Sequence, residues 1–161
     1  MTQHPEKHRK LWLEQLVKEN NFTIGGEVGV HEGVTHFHLL DTCPSLTMIG
    51  ADVYIGEQSK YWTKVKNKLN TYGIRSRFYK ELSVQAAKNI GTGELDFVFI
   101  DADHKYKNVI TDIKSWAPKV RKGGYVCGHD INLDDVKRAV TEYFGQNSYG
   151  VAQDDVWYVK L

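Results

Sequence analysis

Two stretches of this chain carry side chains that could do chemistry. Asp101-Ala-Asp103-His104 follows the apolar run Leu95-Asp-Phe-Val-Phe-Ile100, and His129-Asp130 follows Gly123-Gly-Tyr-Val-Cys-Gly128. Carboxylates and imidazoles move protons near neutral pH and ligate divalent cations. A third group lies upstream. Glu27 stands within Gly25-Gly-Glu-Val-Gly-Val-His-Glu-Gly33, and Asp52 closes the apolar run that starts at Leu46.

These groups need elements that bring them together. Five or six apolar residues without helical periodicity predict a strand buried on both faces. Ionisable residues just past such strands sit where an open parallel sheet binds its ligands, outside the carboxyl ends. The pattern predicts strands at residues 22–30, 46–51, 74–79, 95–100 and 125–128. It predicts helices at residues 6–19, 33–40, 58–72, 84–90, 109–120 and 136–144. A terminal hairpin, 149–153 with 156–161, turns at Asp154-Asp155. Regular alternation of strand and helix implies an α/β fold: a doubly wound, mostly parallel sheet with helices on both faces. Residues 1–21 form a helical lid or flank, with Leu11, Trp12, Leu16 and Val17 at helical spacing, and residues 22–161 the main domain.

The glycine-rich turn lacks the Gly-x-Gly-x-x-Gly spacing of a dinucleotide site. An acid beside it repels a diphosphate and attracts a cationic ligand. Asp52 lies about twenty residues beyond the turn, where a carboxylate grips ribose hydroxyls in this architecture. A ribose-bearing ligand with a positive charge therefore fits better than a nicotinamide dinucleotide.

Composition narrows the classes further. The 161 residues suffice for one domain with a real core, and 41% hydrophobic with 25% charged residues is ordinary for a globular protein. A net charge of +1 gives no general nucleic-acid or membrane surface. Cys43 and Cys127 are too few for a disulfide framework, and Cys127 reads as a buried thiol. The basic N-terminus adjoins no apolar segment of signal type, so the cytoplasm is the expected location.

With these residues in place, the chain resembles the class I S-adenosylmethionine-dependent methyltransferases. The specific segments are Phe99-Ile-Asp-Ala-Asp-His-Lys-Tyr106 and Gly123-Gly-Tyr-Val-Cys-Gly-His-Asp130, supported by Glu27-Val-Gly-Val-His-Glu-Gly33, Ile49-Gly-Ala-Asp52 and Trp157-Tyr-Val-Lys160. The resemblance implies a Rossmann-like seven-stranded sheet whose C-terminal strand is antiparallel. It implies that Glu27, Gly29, His31 and Gly33 hold the methionine end of S-adenosylmethionine. Asp52 would take the ribose, with Ser83 bordering the adenosine and Asp101 beside the cofactor. His31 replaces a glycine frequent in the family, and Leu82 stands where an acid is frequent.

Methyl transfer is an in-line displacement from a sulfonium, so the protein's tasks are alignment and deprotonation of the acceptor. Two routes stay open. In one, Asp101, Asp130 and Asn132 hold Mg2+ or Mn2+ that acidifies a hydroxyl acceptor, as the resemblance to metal-dependent O-methyltransferases implies. In the other, Asp103, His104 or His129 is the base without a metal. The expected acceptor is a small molecule or glycan, and a homodimer or partner subunit is one way to complete its pocket. Two alternatives stand beside this reading: a catalytically inactive binding or assembly module on the same fold, and an enzyme resembling the cephalosporin hydroxylases. His36 and His38, two apart on a helix, are expected at the surface. The same holds for His4 and His8. Arg75 and Arg77 are expected on one face of the third strand. Trp12 is a candidate lid residue.

Overall fold

Apolar runs set the sheet. In the computed structural model, which describes residues 8–161, β1 (Ile24–Val28), β2 (Thr47–Ala51), β3 (Ser76–Tyr79), β4 (Leu95–Ile100) and β5 (Val120–Gly128) run parallel. The terminal hairpin, β6 (Gly150–Val151) and β7 (Trp157–Lys160), joins through β7, which pairs antiparallel with β5. The order is β3-β2-β1-β4-β5-β7-β6. The chain therefore reverses its winding between β1 and β4, where an open α/β sheet forms its ligand crevice.

Helices cover both faces. On one side α1 (Arg9–Asn20), α2 (Val34–Thr42) and α3 (Trp62–Thr71) bury Leu13, Leu16, Phe37, Leu40 and Val65 against Phe97 and Phe99. On the other, α4 (Ser83–Ala87), α5 (Tyr106–Trp116) and α6 (Asp134–Phe144) bury Ala86, Ile113, Trp116 and Val140 against Val98 and Ile100. The alternation of residues 97 to 100 between two cores is the period of two expected of a central strand. Every residue of β4 is buried.

Local differences from the sequence pattern have local causes. α1 buries Leu13 with Leu16 and Val17, and leaves Leu11 exposed. Residues 56–61 form a 3-10 stretch before α3, started by Gly56 in the left-handed region. Gly73–Arg75 is another 3-10 turn, so Arg75 lies outside β3 and does not share a strand face with Arg77. Arg75 instead donates to the carbonyls of Leu40, Cys43 and Leu46, satisfying the end of α2. Arg77 pairs with Glu94 on the sheet edge. Both cysteines are buried and free, and the Cys127 thiol donates to the Val98 carbonyl. Among the described residues no helix is long and apolar enough to cross a membrane.

One glycine controls the crevice. Gly29 has φ +86, and a Cβ there would collide with the backbone oxygen of Asp101. Gly56, at φ +57, has nothing within 4 Å of its Cβ position. The left-handed conformation alone costs a side chain about 1–2 kcal/mol. Gly56→Ala should therefore lower unfolding stability in urea by about 1 kcal/mol. Gly29→Ala should lower it by more than roughly twice that, because the strand ends must also separate. Equal losses in the two variants would contradict the close approach.

Candidate active site

The crevice holds a cavity of about 480 Å³ along the carboxyl ends of β1, β2 and β4, and its walls include Gly29, His31, Asp52, Ser83, Asp101, Asp103 and Asp112. The turn after β1 forms its floor. His31 has φ +51, an unusual conformation for a residue with a side chain. Two neighbours hold it there. The Asp52 carboxylate accepts from the His31 backbone N–H at 2.8 Å, and the Tyr54 hydroxyl donates to the His31 carbonyl at 2.7 Å. Asp52 also accepts from the Tyr54 N–H at 3.2 Å. Tyr54 has no sequence signature of its own, since an aromatic after a strand reads as core.

Glu27 lies within β1. It is buried, does not line the cavity, and bonds His36 Nδ1 through Oε2 at 3.0 Å. Burial pushes its carboxyl above the usual range, and the bond to His36 works against that. His36 is fully buried, which corrects the surface reading of the His36-x-His38 pair. The cause is Gly50, whose missing side chain leaves room for the imidazole over β2. His38 is partly buried, 2.6 Å from Glu14 of α1. His8 caps α1 by accepting from the Lys10 N–H, and His4 lies outside the described residues. Trp12 packs on Tyr158 with ring centroids 5.3 Å apart, a contact that fixes α1 to β7.

A second cluster adjoins the cavity. Asp130, at φ +61, uses both carboxylate oxygens: Oδ1 is 3.0 Å from His129 Nδ1 and Oδ2 is 2.8 Å from His104 Nε2. Asp101, His104 and Asp130 each present a ligand atom, all within 4.8 Å of one another. Asn132 is exposed in the turn beyond Asp130, and His104 stands as a further candidate donor beside Asp101 and Asp130. Arg9 enters from α1. Its Nε is 3.1 Å from Asp101 Oδ2, and its backbone N–H donates to Asp154 Oδ2 at 2.9 Å. His129 Nε2 is 3.7 Å from the same Asp154 oxygen and makes no hydrogen bond. Burial raises the Asp101 pKa, and the Arg9 charge opposes the rise. Asp103 is different: the Lys105 N–H and the Asn108 side chain hold its carboxyl below the usual range. A carboxylate so stabilised is a weak base.

Residues 27–131 match a family described as a methyltransferase domain. The chain belongs to the class I S-adenosylmethionine-dependent methyltransferases. An uncharacterized protein of Acanthamoeba polyphaga mimivirus is 30% identical over 110 residues, covering 65% of this chain and 49% of that protein. The chain thus spans about half the length of that curated relative. Among solved structures, a Staphylococcus aureus protein assigned as a caffeoyl-CoA O-methyltransferase superposes with a TM-score of 0.74 at 16% identity, covering 97% of this chain and 83% of its own. A TDP-rhamnose 3′-O-methyltransferase of calicheamicin biosynthesis superposes with a TM-score of 0.75 at 13% identity, covering 94% and 78%. At these identities the two structures establish the shared fold.

Asp112 is the site residue that the sequence pattern missed, because it lies mid-helix in α5 among apolar neighbours. It is buried, and desolvation pushes its carboxyl up to about 6 even though the Ser83 hydroxyl donates to it. A folded-state pKa above the unfolded value of 3.8 means that the fold favours the protonated acid. That stability is complete below the unfolded value and is lost as pH rises through about 6. A gap of about two units corresponds to roughly 3 kcal/mol. Asp112→Asn should therefore be more stable than the native chain at pH 7.5, by up to about 3 kcal/mol, with the difference closing toward pH 4. Thermal or urea unfolding across that range checks it; a pH-independent difference would refute it.

Proposed function

We propose that the chain transfers the methyl group of S-adenosylmethionine to an oxygen of a small molecule or glycan at the rim beside Asp101. The observation that carries this reading is the adjacency of two hollows. Asp101, Ala102 and Asp103 line both the large cavity and a small one bounded by His104, His129 and Asp130. A ligand filling the first therefore ends where proton-accepting groups begin. Bound there, S-adenosylmethionine supplies an electrophilic methyl on a positively charged sulfur. Gly29, His31 and Gly33 shape the turn for its methionine end. Asp52 keeps lone pairs beyond those used by His31 and Tyr54, and these suit ribose hydroxyls. Glu27 acts through His36 and the turn above it, and the carboxylate of Asp101 favours a cationic sulfur.

His104 is the better base of the three histidine and aspartate candidates. Its Nε2 lies 2.8 Å from Asp130 Oδ2, and its half-exposed ring borders the smaller hollow, within reach of an acceptor there. His129 is enclosed between Asp101, Asp130 and Asp154 and positions Asp130. Asp103 orients the loop through Lys105 and Asn108.

A second reading gives Asp101, His104 and Asp130 a divalent ion, and their proximity favours it. Two carboxylates and an imidazole fit manganese better than magnesium. Such an ion would acidify and orient the acceptor hydroxyl. Arg9 weighs on the other side, since its guanidinium already offsets the charge of Asp101.

Transfer of labelled methyl to nucleotide sugars and hydroxylated aromatics, with EDTA or with manganese, tests both. The expected result is methyl ether formation that survives EDTA, falls roughly 10²–10⁴-fold in His104→Ala, and needs a much higher cofactor concentration in Asp52→Ala. Complete loss in EDTA with recovery in manganese would replace the base reading by the metal reading. Cofactor binding without transfer to any acceptor would replace both by a binding module.

A further inference from the structure

The α5 wall of the cavity carries three polar side chains, and two are committed. Asn108 donates to Asp103 Oδ2 at 3.0 Å, and the Thr111 hydroxyl donates to the Lys107 carbonyl at 2.6 Å. Asp112 differs. Its Oδ1 accepts from Ser83, while its Oδ2 has no hydrogen-bond donor among the described residues. No lysine, arginine or histidine contributes to its electrostatics; the charge that it feels is Asp103, a like one. A buried carboxyl group facing a cavity without a cation calls for a neutral hydrogen-bond donor from the ligand. The other acid on this side, Glu81, is half-buried at the cavity rim, accepts from Asn89 at 3.1 Å, and precedes the exposed Leu82.

We propose that Asp112, oriented by Ser83, is the residue that selects the 6-amino edge of the cofactor's adenine. The assignment rests on the reading of the cavity as an adenosyl site. Within it, Asp52 at the end of β2 sets the ribose position, and the cavity continues past Asp52 to Glu81, Leu82, Ser83 and Asp112. Val53 and Val84 give the cavity apolar lining for a flat base, and Asp112 gives it an acceptor oxygen without a donor. An exocyclic amine supplies the neutral N–H that this acceptor lacks. A base without that amine would leave Oδ2 desolvated and unpaired, which is how a polar pocket rejects an analogue.

The test is calorimetry with S-adenosylhomocysteine and with its 6-deamino (purine riboside) analogue. The native chain is expected to bind S-adenosylhomocysteine about tenfold or more tightly than the analogue, the loss associated with one buried hydrogen bond to a charged or partly charged group. Asp112→Leu should lose that preference while binding the analogue no worse than the native chain does. Asp112→Asn, which keeps an acceptor oxygen, should retain most of the preference, and Glu81→Gln should retain all of it. Asp112→Ala, which also removes the acceptor, serves the same purpose as leucine if the leucine variant does not fold. Equal affinity of the native chain for the two ligands would overturn the assignment, as would equal losses for both in Asp112→Leu. Failure of the native chain to bind either ligand, or S-adenosylmethionine itself, would remove the adenosyl reading and this assignment with it.

Discussion

The strand ends at β1 and β4 approach so closely that the Gly29 position admits no side chain beside the Asp101 carbonyl. This approach defines the crevice. Backbone and carboxylate come within reach of one ligand only because the two strands leave the sheet together at the point where winding reverses. The turn that follows could relax outward, since His31 sits in a conformation that favours glycine. Asp52 and Tyr54 prevent this by holding both the N–H and the carbonyl of His31. The geometry at the floor is thus fixed from β2, while the rim is fixed from β4.

The second constraint is charge. Many acids meet at this end of the sheet, and the more buried ones are accommodated by different devices. Glu27 has a buried imidazole, Asp52 has backbone N–H groups, Asp101 has Arg9, and Asp130 has two imidazoles. Asp112 has only a hydroxyl. Desolvation raises the pKa of Glu27, Asp101 and Asp112 alike, so the region resists filling with further negative charge. A ligand that is cationic at one end and offers N–H groups at the other relieves both tendencies. This complementarity agrees with a sulfonium nucleoside and disagrees with a pyrophosphate.

Much of this was legible from the residues. Apolar runs gave the strands, and acids placed after them gave Asp52, Asp101 and Asp130, because a buried strand must deliver its first polar residue at its end. Helical starts and stops were less legible where 3-10 turns intervened, as at Gly56 and Gly73. His36 was misread because helical spacing describes one helix and cannot register a glycine in the strand beneath it. Asp112 was hidden for a related reason: an isolated acid in an amphipathic helix reads as a solvated position until a neighbouring element, here α4 with Ser83, packs against it. Arg9 and Asp154 lie 145 residues apart, and no local pattern joins them.

That long-range contact ties α1 and the terminal hairpin to the rim. Arg9 begins α1, and Asp154 turns the terminal hairpin at φ +57. Their bond brings both ends of the chain onto Asp101. Trp12 on Tyr158 adds an apolar contact one turn along the same helix. The charge of Asp101 therefore depends on the docking of α1, and the docking depends on aromatic packing against β7. Loosening either contact would free a buried carboxylate beside His129 and His104. Electrostatics at the rim and packing at the sheet's far edge are consequently one system. A divalent ion at Asp101 would have to compete with that whole assembly, and not with a single guanidinium.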